Sequence, residues 1–175
     1  MSSKIWLSGK NGRGQFTTVD EDVFLLLSRY KWFLSHNGYA TTGLGKFTRN
    51  KRLGQVLMHR LILAPPIEME IDHIDNDKLN NRKKNLRICT RKQNLQNRPK
   101  MLRINGRKVS SKYKGVYWQK DISRWRARIS TNGKSIYLGT FEDEVKAAME
   151  YNKAAKRYYK DFAFLNKIEG GAYEQ

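Results

Sequence analysis

Between positions 124 and 129 three arginines, Arg124, Arg126 and Arg128, alternate with Trp125, Ala127 and Ile129. A period of two belongs to a strand with one buried and one exposed face; a helix would mix the two sets around its circumference. The segment therefore predicts a sheet that packs apolar side chains on one side and displays a row of guanidinium groups on the other. Residues 113–118 and 134–140 read as its partner strands, and Asn132-Gly133 is the dipeptide of a two-residue hairpin. Asp143 then caps a helix in which Ala148, Tyr151, Ala155 and Tyr158 recur at three-and-four spacing, with small alanines that let it lie close to the sheet. Trp125 is expected in the packed face and Trp118, at a strand end, on the exposed one.

The charge follows the same geography. The 175 residues carry 35 Lys and Arg against 16 Asp and Glu, a formal net charge of +19. Residues 78–134 hold 19 of those cations and one acid, Asp121. A surface evolved only for solubility would mix Lys with Glu and avoid that repulsion, so the block points to a polyanionic partner. The length suits one ordinary domain or two small ones, and 39% apolar residues suffice for a core. No apolar run approaches the roughly 18 residues of a membrane span, and residues 1–10 lack the order of a secretion signal. No membrane association and a cytoplasmic location, in a phage or bacterial host cytosol, are expected. Cys89 is the single cysteine, so an internal disulfide and a cysteine-based structural zinc are excluded, and any metal must be held by oxygen and imidazole.

Residues 4–63 read as strands with one short helix, Asp20 at its N-cap and Val23, Leu26, Leu27 and Tyr30 in the core. Turns are expected at Asn37-Gly38 and Gly43-Leu44-Gly45, around Trp32, Tyr39 and Phe47. Nothing in this part demands chemistry. Pro65-Pro66 ends the apolar run 56–63, and a polar loop spans 72–85. Residues 86–89 form a short strand. Thr90 and Gln93 have capping-box spacing for a helix to about Arg98, with Asn94 and Asn97 on one face. Residues 99–111 lack apolar periodicity and read as a linker, which divides the chain at that point.

The polar loop is where chemistry concentrates. Ile71 to Asp77 holds one imidazole and several hard oxygen donors, with Asn80, Asn81 and Asn85 following and Asn94 on the helix. Asp72 and Asn94 could hold a hard divalent cation such as Mg²⁺, with Mn²⁺ as a substitute, while His73 handles protons. A calcium loop fails because Leu79, Asn80 and Leu86 occupy positions that need oxygen, glycine and glutamate. A plain polar turn is the competing reading.

Met58-His59-Arg60-Leu61, Asp72-His73, Asn80-Asn81, Asn85-Leu86 and the helix with Asn94 and Asn97 together resemble the HNH endonuclease family over about residues 56–98. The likeness is to the phage and intron-encoded branch, in which asparagine replaces the last histidine and no zinc-binding cysteines occur. Residues 4–47 more weakly resemble the segment that often precedes the motif in phage proteins. The resemblance implies a ββα-metal motif in which His73 is the general base, Asp72 and Asn94 are metal ligands and Asn85 braces the loop and orients the histidine. Either Asn94 or Asn97 completes the metal site, and spacing favours Asn94. His59 and Arg60 are assigned to DNA phosphates, a buried structural histidine being the alternative for the former.

Tyr113-Lys114-Gly115-Val116, residues 125–129, Tyr137-Leu138-Gly139-Thr140-Phe141, Ala147-Ala148, Tyr151, Ala154-Ala155 and Leu165-Asn166 resemble the plant APETALA and ethylene-response-factor DNA-binding domain over 112–166. That family lays a three-stranded sheet in the major groove. The resemblance implies DNA contacts by Lys114, Tyr117, Trp118, Lys120, Arg124, Arg126, Arg128 and Tyr137; Lys114, Tyr117 and Tyr137 stand where the plant family has arginine or tryptophan, so its target sequence does not transfer.

The expectation is an α+β protein: an HNH nuclease domain at 1–98, a linker at 99–111 and a sheet-and-helix DNA-binding domain at 112–175. Its expected activity is metal-dependent, homing-type hydrolysis of double-stranded DNA that leaves 5′-phosphate and 3′-hydroxyl ends. A non-catalytic transcription regulator is the alternative, and an RNA-directed protein is disfavoured because the strand face lacks paired exposed aromatics. Nicking and double-strand cleavage, and a monomer and a homodimer, are both compatible with the sequence.

Overall fold

The structure is a computed structural model and describes residues 1–43, 54–104 and 106–168. The chain is α+β, with antiparallel strand pairing in each sheet of the described residues, and divides into two compact units, Met1–Asn94 and Leu95–Gln175. No described helix is long and apolar enough to cross a membrane. Leu44, Gly45 and Phe47 lie outside the described residues.

The first unit opens with a hairpin of β1 (Ser2–Trp6) and β2 (Phe16–Asp20), paired from Ser2 opposite Asp20 to Trp6 opposite Phe16. Alternation turns Ile5, Thr17 and Val19 inward, while Lys4 lies over the Phe16 ring outside. Helix α1 (Glu21–Leu27) follows. Its last residue, Leu27, is buried, and its carbonyl accepts the indole N–H of buried Trp32 at 2.8 Å. With only seven residues, α1 ends before its stripe is complete. Leu26 and Tyr30, expected in the core, are exposed, and Tyr30 packs edge-on against Trp32. Asp20 occupies the N-cap position but makes no side-chain capping bond.

Strands β3 (Phe33–Leu34), β4 (Ala40–Gly43) and β5 (Gln55–Leu57) form a sheet in that order. Helix α2 (Met58–Leu63) leaves β5 directly and stops at Ala64, whose left-handed backbone turns the chain into Pro65-Pro66. Strands β6 (Glu70–His73) and β7 (Leu86–Cys89) then pair antiparallel, and α3 (Arg91–Asn97) follows β7. The capping box forms as the spacing predicts: Thr90 N donates to Gln93 Oε1 at 2.8 Å, and Gln93 N donates back to Thr90 Oγ1. Ile5, Leu7, Val19, Leu27, Trp32, Ala40 and Met58 make the core on which these elements rest.

In the second unit the stretch expected to be a linker carries a short hairpin, β8 (Arg103–Ile104) with β9 (Arg107–Lys108). Lys100 there donates to the carbonyls of Tyr113 and Val116 at 2.9 and 2.6 Å. The main sheet runs β10 (Val116–Gln119), β11 (Arg124–Thr131), β12 (Lys134–Phe141). Asn132 and Gly133, both at positive φ, turn β11 into β12. Helix α4 (Glu144–Tyr159) is capped by Asp143, whose Oδ1 accepts the Lys146 N–H at 2.8 Å. Ala147, Ala148, Tyr151 and Ala155 are buried, and Ala127 and Ile129 of β11 complete these cores. Tyr159 rather than Tyr158 closes the buried stripe, because the four-residue step from Ala155 keeps closer to one face than the three-residue step does.

Candidate functional site

In the first unit the loop between β6 and β7 is built around one carboxylate. Asp75 Oδ1 accepts from Asp77 N and from Asn85 Nδ2, both at 2.8 Å, and Oδ2 accepts from Asn80 Nδ2 at 2.6 Å. Burial works to raise its pKa, but these donors prevail and hold it below the usual carboxylate value. Asn85 closes the loop from the other side. Its Oδ1 accepts from Asp75 N at 3.1 Å, and its Nδ2 also donates to Asn80 O at 2.8 Å.

The loop is also gripped by β2. Thr18 N donates to Leu79 O at 2.9 Å and Asn81 N to Thr18 O at 2.8 Å, so residues 79–81 run along the edge of the hairpin. The Asp20 carboxylate, rather than capping α1, accepts from Lys83 N at 2.6 Å. The N-terminal segment, in which the sequence shows no chemistry, is thus the frame of the polar loop.

His73 is 5% exposed. Its ring lies 5.2 Å from that of His59 and 5.9 Å from that of Tyr39, and its Nε2 is 3.4 Å from Asn81 Oδ1. Burial lowers its pKa, outweighing Asn81 and the carboxylates of Asp75, Asp72 and Asp77, so the ring is neutral at pH 7. A neutral imidazole is the form that can accept a proton. His59 is equally buried, and burial together with His73 and Arg60 pushes its pKa down to about 3. His59 therefore packs against His73 and is closed to a DNA phosphate, contrary to the assignment from sequence. Arg60 Nη2 donates to Met69 O at 3.0 Å, tying down the segment after α2.

The other face of β6 carries oxygen donors. Asp72 is buried, and its Oδ2 accepts from Arg87 Nε and Nη2 at 2.8 and 2.6 Å across the strand pair. Glu70, two residues earlier and on the same face, accepts from Asn94 Nδ2 at 2.7 Å. Asn94 is thereby held beside the Glu70 carboxylate of β6. Among the described residues no three His, Cys, Asp or Glu side chains converge as a metal site. A hard divalent ion asks for less, since it retains several waters and is held by one or two carboxylates with other oxygens. The donors here, Asp72, Glu70 and the Asn94 amide, are all hard oxygens, and they fit such an ion. Cys89, opposite Glu70, has its thiol pushed up to about 11 by burial and by the neighbouring Asp72 and Glu70 carboxylates.

In the second unit β11 presents its arginines as the alternation predicts, but each already has company. Arg124 pairs with Glu142. The Arg126 guanidinium lies 4.7 Å from the Tyr137 ring centre and donates to Gln119 Oε1 at 3.3 Å, and Arg128 lies 5.1 Å from the Tyr117 ring centre. Tyrosine faces relieve the like-charge repulsion that the bare ladder would suffer. A groove of about 360 Å³ lies between Tyr117, Arg126, Arg128, Ser135 and Tyr137.

Two expected contacts lie elsewhere. Trp118 stands opposite Trp125 in register, with ring centres 5.0 Å apart, and so shares the packed face. The Lys114 ammonium donates to the carbonyls of Gln96 and Arg98, both at 2.7 Å, and burial lowers its pKa to about 8. Lys120 is exposed in the turn between β10 and β11.

A family model described as HNH endonuclease matches residues 56–96, the run from β5 into α3. An HNH endonuclease of Acanthamoeba polyphaga mimivirus is 33% identical over 161 residues, 90% of this chain and 78% of that protein. The chain belongs to the HNH endonuclease family. In this HNH endonuclease residues 111–161 match the AP2 domain. An AP2-like ethylene-responsive transcription factor of Arabidopsis thaliana is 36% identical over 76 residues, 43% of this chain and 16% of the plant protein. An AP2/ERF and B3 domain-containing protein of Oryza sativa subsp. japonica is 49% identical over 49 residues, 28% of this chain and 13% of its own length.

Four side chains of the HNH endonuclease sites have no individual role assigned from the sequence. Glu70 is signalled by its two-residue spacing from Asp72, and Gln119 by its two-residue spacing from Tyr117 on β10. Asp75 stands in the polar loop with no role that its neighbours along the chain reveal. Asn81 stands in the motif as half of the Asn80-Asn81 pair, but its approach to His73 is set by the fold.

Proposed function

We propose that this protein is a metal-dependent DNA endonuclease in which residues 1–98 cut and residues 112–175 hold double-stranded DNA. The single observation that supports the cutting half is the buried imidazole of His73 on one face of β6, with Asp72 and Glu70 on the other and Asn94 of α3 bound to Glu70; in this reading the β6–β7–α3 succession is a ββα-metal motif. In this reading His73 takes the proton of a water aligned with the scissile phosphorus. Asn85, through Asp75, keeps the loop in the shape that presents His73. Asp72 and Asn94, rather than Asn97, hold the divalent ion, Mg²⁺ in the simplest case, with Arg87 yielding its place on Asp72. When bound, that ion supplies charge stabilisation for the phosphate and the leaving 3′ oxygen. The products are 5′-phosphate and 3′-hydroxyl ends, and the pairing of nuclease with binding sheet fits a phage-borne or other mobile homing enzyme acting in the host cytosol.

Supercoiled plasmid incubated with the protein and Mg²⁺ should be converted to open-circular or linear DNA, and EDTA should stop the conversion. Cutting in EDTA would overturn the metal requirement. The balance of open-circular and linear product separates a nicking monomer from a protein that cuts both strands. Plasmid left supercoiled but retarded on the gel would favour the second reading, a DNA-binding regulator, to which the AP2 match over 111–161 and the likeness to a plant transcription factor lend support.

For the binding half, Arg126 and Arg128, held on tyrosine platforms, donate to phosphate oxygens or guanine edges. The double variant Arg126→Ala, Arg128→Ala should bind more weakly, and the slope of log affinity against log salt should fall by roughly 0.9 for each phosphate that is no longer neutralised. Filter binding over a salt series measures it, and an unaltered slope would remove these arginines from the phosphate backbone.

A further inference from the structure

The β1–β2 hairpin reaches the imidazole of His73 through two side chains. The Thr17 hydroxyl, fully buried, is 2.7 Å from Leu79 O, to which it donates. Its oxygen then accepts from Asn81 Nδ2 at 2.8 Å, and the same amide nitrogen reaches Lys78 O at 3.4 Å. Asn81, 1% exposed, turns its Oδ1 to His73 Nε2 at 3.4 Å. The direction of the bonds in this chain follows from the acceptors that surround it. A backbone carbonyl only accepts, so the single hydroxyl proton goes to Leu79 O at 2.7 Å in preference to the weak thioether acceptor Met58 Sδ at 3.8 Å. The hydroxyl oxygen and the Lys78 carbonyl then both call for a donor, so the group between them is the amide NH₂. Its carbonyl oxygen therefore faces the imidazole, and an acceptor there selects the ring with hydrogen on Nε2 and the lone pair on Nδ1.

We infer that Asn81, oriented by Thr17 of β2, is a positioning residue that fixes the tautomer and attitude of His73, so that Nδ1 is the nitrogen presented to the attacking water. This role rests on His73 being the base. It gives the N-terminal hairpin a part in the reaction without touching the substrate. The covered partners support this role: Thr17, Asn81 and His73 are all 5% exposed or less, so water does not compete for their hydrogen bonds.

The test uses the full chain with ¹⁵N-labelled histidine and long-range ¹H–¹⁵N correlation spectra. The three histidines, His36, His59 and His73, are assigned by single replacement. The unaltered protein at neutral pH should show His73 as the Nε2–H tautomer. Asn81→Ala should shift it towards a mixture and lower kcat on supercoiled plasmid about 10-fold to 100-fold, the range seen when an orienting partner is removed, with KM within about twofold. Thr17→Val should act in the same direction and more weakly, whereas Thr17→Ser, which keeps the hydroxyl, should restore both readouts; this pair decides the matter even if Asn81→Ala does not fold. An Nδ1–H tautomer in the unaltered protein, or an unchanged His73 spectrum in folded Asn81→Ala or Thr17→Val, would overturn the inference. A tautomer that responds while cutting does not would uphold the hydrogen-bond chain and overturn instead the assignment of His73 as base.

Discussion

Replacing His73 by alanine is expected to lower plasmid cleavage by about 10²-fold to 10⁴-fold, the usual contribution of a positioned general base, while DNA retention on a filter stays close to that of the unaltered protein. The separation follows from geometry. The imidazole is buried among His59, Tyr39 and Asn81 in the first unit, whereas the arginine and tyrosine groove belongs to the β10–β12 sheet of the second. Truncation also removes a ring packed edge-on against His59 and leaves a void, which costs on the order of 1–3 kcal/mol. A thermal melt of the variant therefore belongs beside the assay, to show that the loss of cutting is a loss of chemistry in a folded protein. Cleavage within a few-fold of the original by folded His73→Ala would remove His73 from the reaction.

Substituting Gly115 by alanine should cripple the second unit while sparing the first. Gly115 has φ +78°, a conformation that costs an L side chain about 1–2 kcal/mol. An added Cβ would also lie 2.0 Å from the Tyr151 ring and 2.7 Å from the Arg128 carbonyl. Neither neighbour can retreat. Tyr151 is buried at the centre of α4, and the Arg128 N–H is bound to the Gly115 carbonyl at 2.9 Å. Overpacking of this kind adds about 1–3 kcal/mol, so the total approaches much of the stability of a small unit. Urea unfolding should show a clearly lower midpoint for the sheet-and-helix unit, and plasmid retention should fall with it. An unchanged midpoint would mean that the turn before β10 can relax in a way the packing does not suggest.

Much of the fold is legible in the sequence because its rules are local. The alternation of β11, the Asn132-Gly133 turn, the Thr90 and Gln93 capping box and the Asp143 cap each follow from residues within a few positions of one another, and each forms. Legibility fails where a partner comes from far away. Trp118 is expected on the exposed face because the sequence ends the strand at 118, whereas β10 runs on to Gln119 and pairs Trp118 with Trp125 on the packed face. Lys114 looks like a DNA contact because basic residues in a basic block look alike, yet a flexible four-carbon stem carries its ammonium to backbone carbonyls some 16–18 residues back. His59, weighed between phosphate contact and burial, is enclosed by Tyr39 and His73.

The amino-acid order alone determined which chemistry the chain has to work with: one imidazole among hard oxygen donors, one strand of arginines, and elements whose lengths and caps follow from neighbours along the backbone. Only the tertiary structure decided that Asp20 serves Lys83 rather than α1, that Arg87 answers Asp72, and that Thr17 reaches Asn81 across 64 positions. The reason is physical. Periodicity and capping record interactions over three or four residues, whereas the partner of a buried polar group is whichever donor or acceptor the completed packing leaves within hydrogen-bond reach, and that depends on every other element at once.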